Sequence, residues 1–402
     1  MAGDVWVVGA AMTKFGRYPD REAVHLGGEA ARDALADAGL SIRDVGAVVA
    51  GCMIEPNMAG QLVLRQIGQT GAPIYNVVNG CATGGTAVRT AVMAVKAGEC
   101  DVALAVGMEK MGKAGLLGVS TRRSDAPFEP SGPYGAVMPL EGVLGTNLMP
   151  GWFGMTGSEY AYQHDGVGFE QFAKVAEKNH AHSTLNPLAQ YQKPFTLAEV
   201  MDAEMISYPN TLPMCSPTGD GAAAVVVVSG AKLRTLGLDQ QARAVKIAAS
   251  VITSDPYADG CDVRLDVNTL TRRAADQAYE AAGVGPEDLN LVELHDCFAT
   301  AELCHYDNLR LCEPGGAGDF IDSGAPWRDG RTPVNVSGGL LSKGHPIAAT
   351  GVSNVFEITT HLRGEAGARQ IDGARVGMAH VLGGGVAGGW ASVVHILEKA
   401  AV

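Results

Sequence analysis

Ala30-Ala31-Arg32-Asp33-Ala34-Leu35-Ala36-Asp37-Ala38-Gly39, followed after a short turn by Asp44-Val45-Gly46-Ala47-Val48-Val49-Ala50, decides the fold, because the chain carries this unit twice. The first stretch has helical spacing and ends on the glycine that closes a helix. The second is an uninterrupted apolar run of strand length. The unit returns as Ala274-Ala275-Asp276-Gln277-Ala278-Tyr279-Glu280-Ala281-Ala282-Gly283 and Asp288-Leu289-Asn290-Leu291-Val292-Glu293-Leu294. Ala30, Ala31, Ala34, Ala38, Gly39, Asp44 and Val48 recur as identities. Further out, Asn76-Val77-Val78 is echoed by Asn335-Val336-Ser337, residues 102–107 by 376–381, and 221–228 by 389–396. These echoes predict two β/α halves, 1–240 and 241–402. The first half carries an inserted loop subdomain at about 113–217, rich in Gly, Pro, Met and aromatic residues.

Near-continuous apolar strands alternating with helices predict parallel sheets covered on both faces. The stretch from Thr83 to Lys96 has helical character, is Ala- and Val-rich on every side, and carries only Arg89 and Lys96 as charges. A helix apolar all round belongs in an interior, here between the sheets of the two halves. The predicted fold class is therefore α/β, a duplicated, layered αβαβα sandwich.

Composition narrows the function. Of the 402 residues 47% are hydrophobic and 18% charged, and the net charge of -13 argues against a nucleic-acid or anionic-membrane partner. The longest apolar run, 222–228, is far below a membrane span. Eight cysteines show no CxxC pair, and the N-terminus has no basic region followed by an apolar run. Reduced thiols and a cytoplasmic location are the expectation. Lys399-Ala400-Ala401-Val402 does not read as a peroxisomal address.

Chemistry concentrates in four segments. Asn79-Gly80-Cys81-Ala82-Thr83-Gly84-Gly85 puts a thiol at a strand-to-helix junction, where unpaired N–H groups and the helix dipole favour the thiolate. Glu293-Leu294-His295-Asp296-Cys297-Phe298-Ala299 ends the repeated second strand. Ser342-Lys343-Gly344-His345-Pro346 follows the strand that echoes the one before Cys81, and His380-Val381-Leu382-Gly383-Gly384-Gly385 follows the next. The repeat predicts all four on one rim, beyond the carboxyl ends of the strands, where open α/β sheets bind ligands.

In chain order and over nearly all 402 residues, these motifs resemble the thiolase superfamily. His295-Asp296-Cys297-Phe298 and Ser342-Lys343-Gly344-His345-Pro346 are similar to the sterol-carrier-protein type of thiolase, its thiolase domain only. The resemblance implies thiolytic cleavage of a 3-oxoacyl-CoA by CoA, or the reverse Claisen condensation, with coenzyme A as substrate and no resident cofactor or metal. It implies Cys81 as the acyl-carrying nucleophile, His345 as its base, and backbone N–H groups of Cys81 and Gly383 as an oxyanion pocket. His345 would also help hold the thioester oxygen, and His295 would bind the enolate oxygen. The best-known thiolases use a second Cys in the last motif, where this chain has Val381; Cys297 is the implied substitute. Asp296 either orients a neighbour or caps a turn, and His380 is secondary. A homodimer is also implied.

Other readings remain at the sequence level. They are a steroid-type retro-aldolase, a decarboxylating ketosynthase using Cys81, His295 and His345, a zinc site of His295, Cys297, Cys304 and His305, and a non-catalytic acyl-CoA or lipid-binding scaffold. Arg122, Arg123, Lys174 and Lys193 lie in the inserted segment as candidate phosphate contacts.

Overall fold

The computed structural model describes residues 3–54, 57–112, 148–255, 268–384 and 390–400. Its strands are β1 (Val5–Met12), β2 (Ala47–Gly51), β3 (Ile74–Val77), β4 (Val102–Lys110), β5 (Met205–Ser207), β6 (Asn210–Thr211), β7 (Asp220–Ser229), β8 (Val245–Ser254), β9 (Leu291–Glu293), β10 (Val376–Gly384) and β11 (Trp390–Lys399). The longer helices are α1 (Ala23–Asp37), α2 (Ala59–Ile67), α3 (Thr83–Lys96), α4 (Leu148–Gln163), α5 (Phe169–Ser183), α6 (Asn268–Ala282), α7 (Ala299–Asn308) and α8 (Ile347–Arg363). Among the described residues no helix is long and apolar enough to cross a membrane.

Nine strands follow the order β3-β2-β4-β7-β1-β8-β11-β10-β9. The two blocks join through only two residue pairs, Trp6 with Lys246 and Val7 with Val245. Outward from that join, β1-β7-β4-β2-β3 on one side is mirrored by β8-β11-β10-β9 and then Val334, which bridges Val292. Helices α3 and α8 lie against each other and against strands of both blocks, forming the middle layer. On the outer faces, α1 and α2 cover the first block, and α6 covers the second with α7 packed beside it. The layering is the predicted αβαβα sandwich.

Strand alternation explains the unbroken apolar runs. In β4, Ala103 and Ala105 enter the central core, while Val102, Leu104 and Val106 enter the outer one. In β7, Ala223, Val225 and Val227 face inward and Ala222, Ala224, Val226 and Val228 outward. Both faces are dry, so both sets must be apolar. The prediction of parallel sheets needs correction. Pairs β2/β3, β2/β4 and β9/β10 are parallel, but β4/β7, β1/β7, β1/β8, β8/β11 and β10/β11 are antiparallel. A strand buried on both faces reads the same in either direction, so the pattern reports burial rather than polarity. Likewise α3 is not enclosed all round: Met93 and Lys96 open outward.

The two central helices touch backbone to backbone. A Cβ on Gly351 would overlap the backbone nitrogen of Gly85 and come within 2.9 Å of the Gly84 carbonyl carbon. Gly351→Ala must therefore push α3 and α8 apart, with backbone rather than a flexible side chain in the way. The expected cost is about 3 kcal/mol, at the upper end for overpacking, read as a lower urea midpoint at unchanged slope.

Candidate active site

The layered fold carries three of the four segments to one buried point. Cys81 Sγ and one ring nitrogen each of His295 and His345 all lie within 4.8 Å of one another. The two imidazoles meet edge to face, their centroids 5.3 Å apart. Cys81 closes the turn into α3, His295 follows β9, and His345 precedes α8 by two residues. Gly383, near the end of β10, packs against the Cys81 turn, where a Cβ would overlap the Asn79 carbonyl oxygen and approach the Ala82 nitrogen. Only bare backbone fits there. Residues 385–389 of the fourth segment lie outside the described residues.

His345 has a definable tautomer. Thr350 Oγ1 donates its single proton to the Pro346 carbonyl (3.1 Å), so it accepts from His345 Nδ1 at 2.8 Å. The proton then sits on Nδ1 and the buried Nε2, which has no protein partner, carries a free lone pair. Burial holds this imidazole down to about 3 and pushes His295 well below the usual histidine range, with His345, His380 and His305 adding to the effect on His295. Both rings are neutral at physiological pH.

The thiols are neutral as well, which overturns the thiolate expected at the helix start. Burial first, and then the nearby Glu109 carboxyl, push Cys81 up to about 12, against only its own backbone N–H. Cys81 stands before the first residue of α3, and desolvation outweighs the dipole. Cys297 is also held well above the usual thiol range, by burial first and then by the Cys81 and Asp296 charges. It is packed among Phe153, Phe298, Leu340 and Leu382, with Trp152 and Trp390 alongside. Those two indoles stack at 5.5 Å, and Phe153 stacks on Phe298 at 5.2 Å. Val381 is buried with Ala82 and Val393, packing toward Gly85.

The Asp296 side chain accepts from Leu340 N (2.7 Å), Leu341 N (3.2 Å) and Asn179 Nδ2 (2.8 Å), fastening the His295 segment to the short helix Gly339–Ser342 that leads to His345. His380 Nδ1 accepts the backbone N–H of His295 at 3.4 Å, and its ring lies 4.7 Å from that of His305. Among the described residues the one cluster of three metal-type donors is Cys81, His295 and His345, not the zinc set weighed above.

Sequence reading missed the frame around this point. Lys178 and Glu302 form a fully buried ion pair at 2.9 Å, and Asn179 Nδ2 also donates to Glu302 at 2.6 Å. Asn335 donates to the same carboxylate at 2.8 Å, and accepts from Leu294 N at 2.9 Å. Glu109 was also missed, although a carboxylate ending an otherwise apolar strand is a visible signal. Of the candidate phosphate contacts, Lys174 is already held by Glu170 (2.7 Å) and Asp322 (2.9 Å). Lys193 sits over the Phe195 ring at 4.9 Å. Arg122 and Arg123 lie outside the described residues.

Comparison with known proteins follows the same lines. Residues 5–213 match the family described as thiolase, N-terminal domain, and residues 263–399 that described as thiolase C-terminal domain-like. Human sterol carrier protein 2 is 38% identical over 386 residues, covering 94% of this chain and 70% of that protein. The acetyl-CoA acetyltransferase of Methanothermobacter thermautotrophicus is 35% identical over 406 residues, covering 98% and 100%. Among solved structures, the Ltp2-ChsH2(DUF35) aldolase superposes with a TM-score of 0.81 at 26% identity, covering 99% of this chain and 98% of that one.

The buried ion pair yields a stability test. Lys178→Met strands the Glu302 carboxylate in the core, where an unpaired charge costs about 3–5 kcal/mol. The double variant K178M/E302Q should recover much of that loss in urea denaturation.

Proposed function

The chain belongs to the thiolase family, and from that premise we propose that it cleaves 3-oxoacyl-CoA with CoA, or runs the reverse condensation, through an acyl group carried on Cys81. The observation that supports this most is the meeting of Cys81, His345 and His295 within 4.8 Å inside a water-poor site. A neutral thiol beside an imidazole with a free lone pair is the resting state such a reaction starts from. Cys81 gives its proton to His345 Nε2 as sulfur attacks the 3-oxo carbon. The C2–C3 bond then breaks, leaving the acyl group as a thioester on Cys81 and an enolate on the departing acyl-CoA. His295 holds the enolate oxygen, and Cys297 delivers a proton to C2. His345 passes the proton it took from Cys81 to the Cys297 thiolate, restoring both. The CoA thiol then gives its proton to His345 as its sulfur attacks the thioester, and the departing Cys81 sulfur recovers that proton as the shortened acyl-CoA leaves. Backbone N–H groups of Cys81 and Gly383 stabilise the tetrahedral oxyanion. The carrier and acid thiols both need to stay reduced, which suits a cytoplasmic setting.

Cys297 is the acid because Val381, where the best-known relatives carry theirs, is an alkyl side chain turned into the core. The rise in its pKa by burial keeps the proton on sulfur until an enolate, itself strongly basic, calls for it.

A retro-aldolase is the second reading, favoured by the likeness to the aldolase structure. It needs neither CoA as acceptor nor an acyl-enzyme. Acetyl-CoA should transfer one acetyl group to Cys81, detected by mass spectrometry of the Cys81 peptide, and free CoA should accelerate 3-oxoacyl-CoA cleavage. Cleavage indifferent to CoA, with no label on Cys81, would select the aldolase. Cys297→Ser should still acylate, yet lose carbon–carbon exchange by about a hundredfold or more; unchanged exchange would return Cys297 to the core.

We further propose a homodimer through the β3 edge. That strand ends the sheet, and Val78 (59% exposed) and Met93 (49%) stand beside it as open apolar side chains. Sedimentation should give twice the chain mass, and the double variant V78D/M93D should give the single mass.

A further inference from the structure

Glu109 is fully buried at the end of β4 and makes no ion pair among the described residues. Lys110, its neighbour, turns the other way, its Nζ bonding the Pro19 carbonyl and approaching Glu22. Glu109 instead gathers three segments. It accepts from Met53 N (3.0 Å) and Ile54 N (3.1 Å), and Cys52 Sγ donates at 3.6 Å. The backbone N–H of Ala348, in the first turn of α8, also reaches it. Met53 and Ile54 pack with Met111 and Ile347 around Cys81. One carboxylate therefore fixes a wall of the nucleophile's pocket and ties it to the helix that follows His345.

This arrangement is more than scaffolding. A scaffold contact between backbone donors would be served by an amide, which carries no charge to desolvate. The groups facing Cys81 are His295 and Cys297 from the segment after β9, His345 before α8, and Glu109 from β4, which Cys52 bonds from the loop after β2. Of these, the imidazoles are neutral and Glu109 supplies the negative charge. We propose that Glu109 is a positioning residue for Cys81, which both sets the Met53 and Ile54 wall and holds the thiol proton on sulfur until His345 accepts it. The resting enzyme then exposes no thiolate to stray electrophiles, and the nucleophile is released only by proton transfer to His345 Nε2. Burial raises Glu109 itself to about 7, so its charge is present above that pH and lost below it. The effect on Cys81 belongs to neutral and alkaline conditions.

The proposal rests on Cys81 being the acyl carrier, yet its test needs no turnover. Modification of the Cys81 peptide by methyl methanethiolsulfonate is followed from pH 5 to pH 9 in wild type and in Glu109→Gln. Easier access to the thiol would raise the E109Q rate by the same factor at every pH, whereas lost charge matters only where the wild-type carboxylate is ionised, above about 7. The ratio of E109Q to wild-type rates should therefore grow about tenfold from pH 5 to pH 9. A ratio constant across that range, whatever its size, overturns the proposal. If E109Q fails to fold by circular dichroism, E109D retracts the charge by one methylene and carries the test, a ratio that grows with pH supporting and a constant one overturning. Failure of acetyl-CoA to label Cys81 would instead sink the acyl-carrier reading and leave the thiol-modification result standing.

Discussion

The approach of Cys81 to His345 depends on two helices that touch without side chains. Gly84, Gly85 and Gly351 let α3 and α8 cross with their backbones in contact. One helix begins two residues after Cys81, and the other two residues after His345. Their separation therefore carries over to Cys81 and His345 almost without a lever arm, so a single methyl group at the crossing is felt at that contact. The strand blocks on either side, buried on both faces, keep the pair from sliding apart.

Around that crossing the molecule separates two kinds of buried polarity. Groups at the reacting centre are uncharged at rest: burial keeps the thiols protonated and the imidazoles bare. One shell away, ionisable side chains pair with one another in place. Lys178 pairs with Glu302, Lys343 lies 3.6 Å from Glu293, and Arg369 bonds Glu357 at 2.9 Å. This outer set is expensive to desolvate and is tolerable only because its members satisfy one another. The Lys343–Glu293 member ties the end of β9 to the segment before α8, beside the edge-to-face rings of His295 and His345.

What the sequence disclosed follows from how local each signal is. The duplicated helix and strand at Ala30 and Ala274, and the four glycine-rich turns, are contiguous patterns, and they led to the layered sandwich and to the cluster of Cys81, His295 and His345. Strand direction was not legible, because Ala222 to Val228 alternate between two apolar cores and so carry no directional mark. The charge state of Cys81 was misread because it depends on enclosure and on Glu109, which reaches the site only through the fold. Lys174 looked like a free cation until Glu170 and Asp322 closed on it. Asn179 and Asp296, separated by 117 positions, meet only after the inserted segment has packed down. Pairings at that range leave no periodicity to read.

The stacked indoles beside Cys297 have an optical consequence. Trp152 and Trp390 lie 5.5 Å apart with their planes inclined by 26°, and they are two of only four tryptophans in the chain. Transition dipoles that close couple, most strongly through the intense far-ultraviolet indole band, so the pair's circular dichroism depends on its geometry and changes when either ring tilts. Phe153 and Phe298 couple that tilt to the wall against which the Cys297 thiol rests. The protein thus contains its own label-free chromophore beside Cys297.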